Sequence, residues 1–291
     1  MYPRSFRYFA PENLQQAVDF ALAHPDEAKY LAGGQSLIPM MKLRIASPAY
    51  IIDVNRLHDL SYIRTSGGYL LIGALTRHAD IEHSDLVERN LPILKEAARQ
   101  IADQQVRNLG TMAGSISHAD PAADWPAVAL ACRAEFSIVG KGERIVKAED
   151  FFQGPFQTAL QPGEFLREIR IPLANEMNIG YSYVKFERKA GDFATVGVAT
   201  MLRMKDNAVD DISIALTAVA PKQFRATEAE KLLVGKKPSD ELIEEASKLA
   251  SEQSEPTADL RGSVEFKKEM VRVFTKRAVK KALSRAGWGG N

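Results

Sequence analysis

The chain has a single cysteine, Cys132, among 291 residues. One thiol cannot close an intramolecular disulfide, which suits a reducing compartment. It cannot furnish the thiolates of an iron–sulfur cluster or of a four-cysteine zinc site. The histidines (24, 58, 78, 83 and 118) are scattered, with no H-E-x-x-H or other metal-ligand spacing. Any redox chemistry must therefore rest on an organic cofactor or on a partner chain. An excess of one charge is also missing: 38 Lys and Arg against 37 Asp and Glu leave +1. That balance gives no global attraction to nucleic acid or to an anionic membrane. No apolar run reaches the length of a membrane span. The N-terminal MYPRSFRYFAPEN lacks the apolar core of a secretory signal. The chain is expected in the cytoplasm, or at a membrane only through partner proteins.

What is present is ordinary for a soluble protein: 45% apolar and 26% charged residues. A chain this long sits where single cores give way to two domains. Residues 12–24 carry Leu14, Ala17, Val18, Ala21 and Leu22 on one helical face. KYLAGG reads as a strand running into glycines, QSLIPMMKLRI as a helix opening, and AYIIDV as a buried strand. Residues 61–75 hold a hairpin about Gly67-Gly68. A helix is expected over 86–102, then a loop of small residues from 103 to 124. EFSIVG and ERIVKA form another hairpin, and EFLREIRIP a further strand. GYSYVKFER, TVGVATMLRMK and DISIALTAV read as three long strands, with helices near 227–234, 239–253 and 264–286. Strands followed by helices suggest a separate α+β unit. The boundary is expected near residue 177.

Charge divides the C-terminal region. Residues 222–260 carry six Lys/Arg and nine Asp/Glu, a balance of −3, whereas 261–291 carry nine against two, or +7. That basic end is either one solvated helix face or a surface for an acidic partner, and the first reading is favoured.

Two glycine-bearing segments are candidate sites. The first is Ala32-Gly33-Gly34-Gln35-Ser36, between a strand and a helix. Its backbone N–H groups can form an anion nest at a helix N-terminus. It is neither a Walker A loop nor a G-x-G-x-x-G fingerprint. The second runs from Asn108 through Gly110, Thr111, Met112, Ala113, Gly114 and Ser115 to Ser117, His118 and Asp124. It is rich in small residues and hydroxyls that can face anionic oxygens. Taken singly, the first reads as a plain strand–helix turn, and the second is balanced between a site and a surface loop. Together they suit two clamps on one pyrophosphate from opposite sides.

AGGQSLIPMMKLR, followed by RNLGTMAGSISHADPAAD, closely resembles the FAD-binding medium subunit of molybdenum hydroxylases. This group includes the carbon monoxide dehydrogenase, aldehyde oxidoreductase and xanthine dehydrogenase enzymes. The likeness runs from MYPRSFRYFAP to VRVFTKRAVKKAL, essentially the whole chain. It implies an α+β fold. An FAD-binding domain of the vanillyl-alcohol-oxidase (PCMH) type would cover 1–177, with subdomains of about 1–57 and 58–177. A smaller α+β domain with a three-stranded antiparallel sheet and helices would cover 178–291.

The resemblance implies FAD in this chain, and no catalytic acid–base residue. Tyr30, Leu31, Ala32, Gly33, Gly34, Gln35, Ser36 and Leu37 would line the diphosphate with Thr111, Met112, Ala113, Gly114 and Ser115. Ile101, Asp124, Leu166 and Lys185 fall at other nucleotide-contacting positions, and Phe193 near the isoalloxazine. By pattern alone these are structural: Asp124 an N-cap, Lys185 a solvent-facing strand residue, Phe193 and Ile101 core. Two departures stand out: Gln35 replaces a frequent His, and Ala113 a frequent Gly. The implied partners are a large subunit with the molybdenum cofactor and a small subunit with two [2Fe–2S] clusters, in a dimer of heterotrimers. Electrons would reach FAD from the small subunit and leave to an external acceptor. The rival readings are a stand-alone flavoprotein oxidase or reductase with its own pocket, and a non-redox assembly protein.

Overall fold

The computed structural model describes residues 2–173 and 178–289. The chain opens with β1 (Arg7–Phe9), α1 (Leu14–Ala23), β2 (Ala28–Leu31), α2 (Leu37–Lys42) and β3 (Tyr50–Asp53). Asn13 starts α1 by accepting from the Gln16 N–H at 2.9 Å, and Ala17, Val18 and Ala21 form its buried stripe. β3 lies between β1 and β2, parallel to both. Its Ile51 and Ile52 are buried, as a central parallel strand requires.

A 3-10 turn leads to β4 (Ile63–Ser66) and β5 (Tyr69–Gly73). Gly67 and Gly68 turn this hairpin at φ 58° and 82°, values that disfavour any Cβ. Six helices follow: α3 (His78–His83), α4 (Asp85–Asn90), α5 (Pro92–Ala98), α6 (Gln104–Leu109), α7 (Met112–His118) and α8 (Asp124–Ala131). Two expectations are corrected here. The single helix over 86–102 is two helices, because Pro92 cannot continue α4 and instead starts α5. The loop over 103–124 is largely helical. Asp103 and Thr111 cap α6 and α7 through the N–H groups of Val106 and Gly114, and segments this short show no periodicity to read.

Next come β6 (Glu135–Val139), β7 (Glu143–Lys147), α9 (Ala148–Phe151), β8 (Phe152–Gly154), β9 (Gln157–Thr158) and β10 (Phe165–Pro172). β10 inserts between β5 and β6, giving a five-stranded antiparallel sheet in the order β4-β5-β10-β6-β7. The boundary expected near residue 177 lies outside the described residues.

The remaining elements are β11 (Ile179–Phe186), β12 (Val196–Lys205), β13 (Ala208–Thr217), β14 (Phe224–Arg225), α10 (Thr227–Leu233), α11 (Asp240–Gln253) and α12 (Val264–Arg285). The antiparallel sheet β11-β12-β13-β14 has four strands rather than the expected three. The two-residue β14 is too short to carry a pattern. One face of this sheet packs against α10, α11 and α12 through Val198, Ile214, Val271 and Leu283. The other face gives Tyr183, Ala199 and Ala215 to the core that holds α8. Every residue of α8 is buried, as befits a helix covered on all sides.

The basic end of the chain is largely balanced internally. On α12, Lys276 pairs with Glu244 at 2.7 Å, Lys280 with Asp240 at 2.7 Å and Arg285 with Glu96 at 2.9 Å. Arg272 and Lys281 reach Glu244 and Glu96 respectively. These contacts favour the solvated-face reading over an acidic-partner surface. Among the described residues, no helix is long and apolar enough to cross a membrane.

Candidate functional site

The first glycine segment leaves β2 at Leu31 and enters α2 at Leu37. Gly34 takes φ +72°, a conformation that favours glycine. The Asn55 amide fixes the segment from below, donating to Ala32 O at 2.8 Å and Leu31 O at 3.3 Å. Gln35 folds back onto Gly33 O at 3.1 Å. Among the described residues, no acceptor takes the backbone N–H of Gly33, Gly34, Gln35 or Ser36. A row of free N–H groups on a turn is an anion-binding nest. Tyr30 points elsewhere: its hydroxyl donates to Gly163 O at 2.8 Å, and its ring meets Phe165 edge-on.

The second segment turns from α6 into α7. Thr111 caps α7 by accepting from the Gly114 N–H at 3.0 Å. Met112 and Ala113 are buried beneath, while Gly114 is exposed. The two segments touch. A Cβ on Gly33 would lie 2.4 Å from Leu109 O and 2.6 Å from Gly110 Cα. The two segments are therefore adjacent in space at Gly33 and Leu109–Gly110. Glycine at 33 is required by loop-to-loop packing.

Three residues that sequence reasoning missed hold this arrangement. Arg77 donates to Leu109 O and, at 2.8 Å, to Asn55 Oδ1. His78 donates its backbone N–H to Gly110 O at 3.0 Å, and its Nδ1 accepts from the Trp125 indole at 3.0 Å. Burial, aided by Arg107 and Arg77, pulls the His78 pKa down to about 4, so the ring is neutral. Asn55 was signalled by Asp53-Val54-Asn55 after a buried strand, an Asx turn closed at 3.0 Å. Arg77 carried no signal, because its partners lie 22 and 32 positions away.

Asp124 and Lys185 meet in a second cluster. Lys185 is buried, and its ammonium reaches Gln100 O at 2.8 Å, Asp124 at 3.3 Å and Glu187 at 3.2 Å. Gln100 O and Asp124 Oδ2 accept hydrogen bonds from it, while Glu187 Oε2 is an ion-pair partner that accepts none, so Lys185 is not the solvent-facing residue its strand pattern allowed. Asp124 is the first residue of α8 and not its cap, which is Ala123. Its Oδ1 accepts from the Tyr183 hydroxyl. Burial holds the Asp124 carboxyl above the usual range, against the pull of Lys185 and Tyr183. Tyr183 and Glu187 were also missed in sequence.

Ile101 adjoins this cluster. Arg107 donates to Ile101 O at 3.0 Å and to Ala102 O at 3.1 Å. A Cβ on Gly191 would come within 2.7 Å of Ala102 O, so the loop bearing Phe193 rests on the segment after Ile101. Phe193 is 50% exposed, which sets aside a core role. Leu166 is buried on β10 opposite Ile138. It shares a hydrophobic core with Met112 and Ala113 of α7. The free N–H row of residues 33–36 suits an anionic group. Among the described residues, no group of His, Cys, Asp and Glu is placed to hold a metal.

The family model described as the FAD binding domain in molybdopterin dehydrogenase matches residues 4–174. The model described as the CO dehydrogenase flavoprotein C-terminal domain matches 181–282. The chain is 45% identical over 283 residues to the glyceraldehyde dehydrogenase medium chain of Sulfolobus acidocaldarius, covering 96% of this chain and 99% of that one. It is 43% identical over 286 residues to the carbon monoxide dehydrogenase medium chain of Hydrogenophaga pseudoflava, covering 98% and 99%. The solved carbon monoxide dehydrogenase from Hydrogenophaga pseudoflava superposes with a TM-score of 0.96 at 43% identity, over 98% of this chain and 99% of that one.

Proposed function

Because this chain belongs to the family of FAD-binding medium subunits of molybdenum hydroxylases, we propose that it is the electron-transfer subunit of such a complex. In this reading it takes electrons from a partner [2Fe–2S] subunit and passes them to an external acceptor. A large subunit holds the molybdenum cofactor, the assembly is a dimer of heterotrimers, and its place is the cytoplasm. The FAD-binding domain spans 1–177 and the C-terminal domain 178–291.

One observation carries the reading of the site: the unpaired N–H groups of residues 33–36 lie beside the capped start of α7. This cradle holds the diphosphate of FAD through residues 30–37 and 111–115. Ile101, Asp124, Leu166, Lys185 and Phe193 complete the proposed contacts. FAD, when bound, supplies the redox chemistry, including the exchange of single electrons with clusters for pairs. The chain's own residues bind and orient it. Cys132 is buried, with its thiol pushed up to about 12 by burial, and no second cysteine exists. This chain can therefore hold no iron–sulfur cluster of its own, and in this reading the partner subunit delivers the electrons.

Purification of the chain from its host tests this reading. The expected result is a complex with two other chains and FAD released on denaturation. A chain that purifies alone, colourless and flavin-free contradicts it.

A further inference from the structure

The two glycine segments are joined through one carbonyl. Leu109 O receives the Arg77 guanidinium on one side and faces Gly33 on the other. The second arm of the same guanidinium reaches Asn55 Oδ1 at 2.8 Å. The Asn55 amide then donates to Ala32 O at 2.8 Å, immediately before Gly33. The path from the second segment to the first is thus Leu109 O, Arg77, Asn55, Ala32 O. Each end of the path is itself anchored. Arg77 sits on a short antiparallel bridge with Thr111, the cap of α7. Asp53, which orients Asn55 at 2.7 Å, accepts from Tyr8 at 2.6 Å.

We propose that Arg77 and Asn55 are positioning residues that lock the two glycine segments into one FAD cradle. The proposal rests on the diphosphate reading given above. Neither side chain needs to touch the cofactor. A guanidinium is suited to this task because its donors diverge in a rigid plane and can serve two acceptors in different directions. A lysine keeps the positive charge but presents a compact ammonium, and loses the fork. Separation of the segments would spread the free N–H groups of residues 33–36 away from the α7 N-terminus. Affinity for a diphosphate depends on their convergence.

The test is FAD affinity of the full chain, read by titration of flavin-stripped protein. The variants are Arg77→Lys, Arg77→Met, Asn55→Ala and the Arg77→Met/Asn55→Ala double variant, with urea unfolding of each apo form alongside. Hydrogen bonds to charged groups lead us to expect about tenfold to a hundredfold weaker binding in each single variant. The double variant should bind no more weakly than the worse single one, because both break the same path. Apo stability carries its own coupling, because Arg77 and Asn55 are hydrogen-bonded without the cofactor, so affinities are compared only among variants that are folded at the titration conditions. Arg77→Lys binding as tightly as wild type would show that charge alone matters, and would overturn the proposal. So would full additivity in the double variant. If Arg77→Met does not fold, Asn55→Ala decides, since it leaves Arg77 in place. Gly114→Val separates the two levels of the argument. Unchanged FAD affinity there overturns the cradle and this inference with it, whereas weakened affinity there with normal binding in Arg77→Lys overturns the lock alone.

Discussion

The backbone oxygen of Leu109 occupies the place a side chain at Gly33 would need, only 2.4 Å from the Cβ position. Two segments more than seventy residues apart are thereby packed backbone to backbone. Gly33→Ala should push them apart. Overpacking of this kind costs about 1–3 kcal/mol. It should lower the urea midpoint of the apo chain and also release FAD. Gly114→Ala meets only the Thr111 side chain within 3.5 Å, so its main cost is a disturbed cap, about 0.5–2 kcal/mol. A Gly33→Ala chain with full stability and full flavin would mean the segments are not in contact.

The ammonium of Lys185 stands between the carboxylates of Asp124 and Glu187. Lys185→Met removes the cation and leaves both acids without it. Breaking a buried ion pair from one side costs about 3–5 kcal/mol. Denaturant unfolding near neutral pH measures this loss. A Lys185→Met chain as stable as wild type would show that the acids take up protons at no cost.

Stability should fall as pH drops through the slightly acidic range. His78 has its pKa lowered from 6.5 to about 4, chiefly by burial. The unfolded chain therefore binds a proton that the folded chain refuses. The stabilisation is complete above the unfolded value and is lost between about 6.5 and about 4, amounting to about 3 kcal/mol. Glu96 adds a second step at lower pH. Burial raises its pKa, but hydrogen bonds from Arg285, Lys281 and the Tyr183 N–H outweigh burial and leave it lowered. Its contribution is present above the ordinary carboxylate value and is lost as pH falls through the lowered one. Urea midpoints measured across this range should decline in both steps. His78→Gln should shrink the upper step, with His118, whose pKa burial also lowers, supplying the rest. Glu96→Gln should shrink the lower, which Glu164 and Asp211 share.

Cys132 lies in the core beside α8, and burial pushes its thiol up to about 12. A thiol-directed reagent should leave the native chain unlabelled and react fully after denaturation. Rapid labelling of the native protein would place Cys132 at the surface and change the account of the core.

The parts legible in sequence are those that repeat or concentrate a pattern. The long strands Val196–Lys205 and Ala208–Thr217 are rich in apolar and β-branched residues, and their turn falls at Asp206-Asn207, both at positive φ. The glycine-bearing segments stood out by composition. The short helices Gln104–Leu109 and Met112–His118 did not, because capping and tertiary packing sustain them. Pro92 was a visible stop signal that the helix expected over 86–102 ran across. The support of the site was the least legible part. Asn55, Arg77, His78, Tyr183 and Glu187 act through partners distant in sequence, and single residues of this kind leave no periodic trace. Asp124 and Lys185 entered through family resemblance; their strand and cap patterns alone pointed to plainer roles.

Electron flow through this chain is the central claim, and anaerobic rapid mixing of the intact complex tests it most directly. A reductant specific for the molybdenum-bearing partner is added, and the visible bands of the clusters and the flavin are followed together. The account predicts that the flavin band bleaches after the clusters and recovers when an external acceptor is supplied. Full turnover of that acceptor while the flavin band stays oxidised throughout would contradict it.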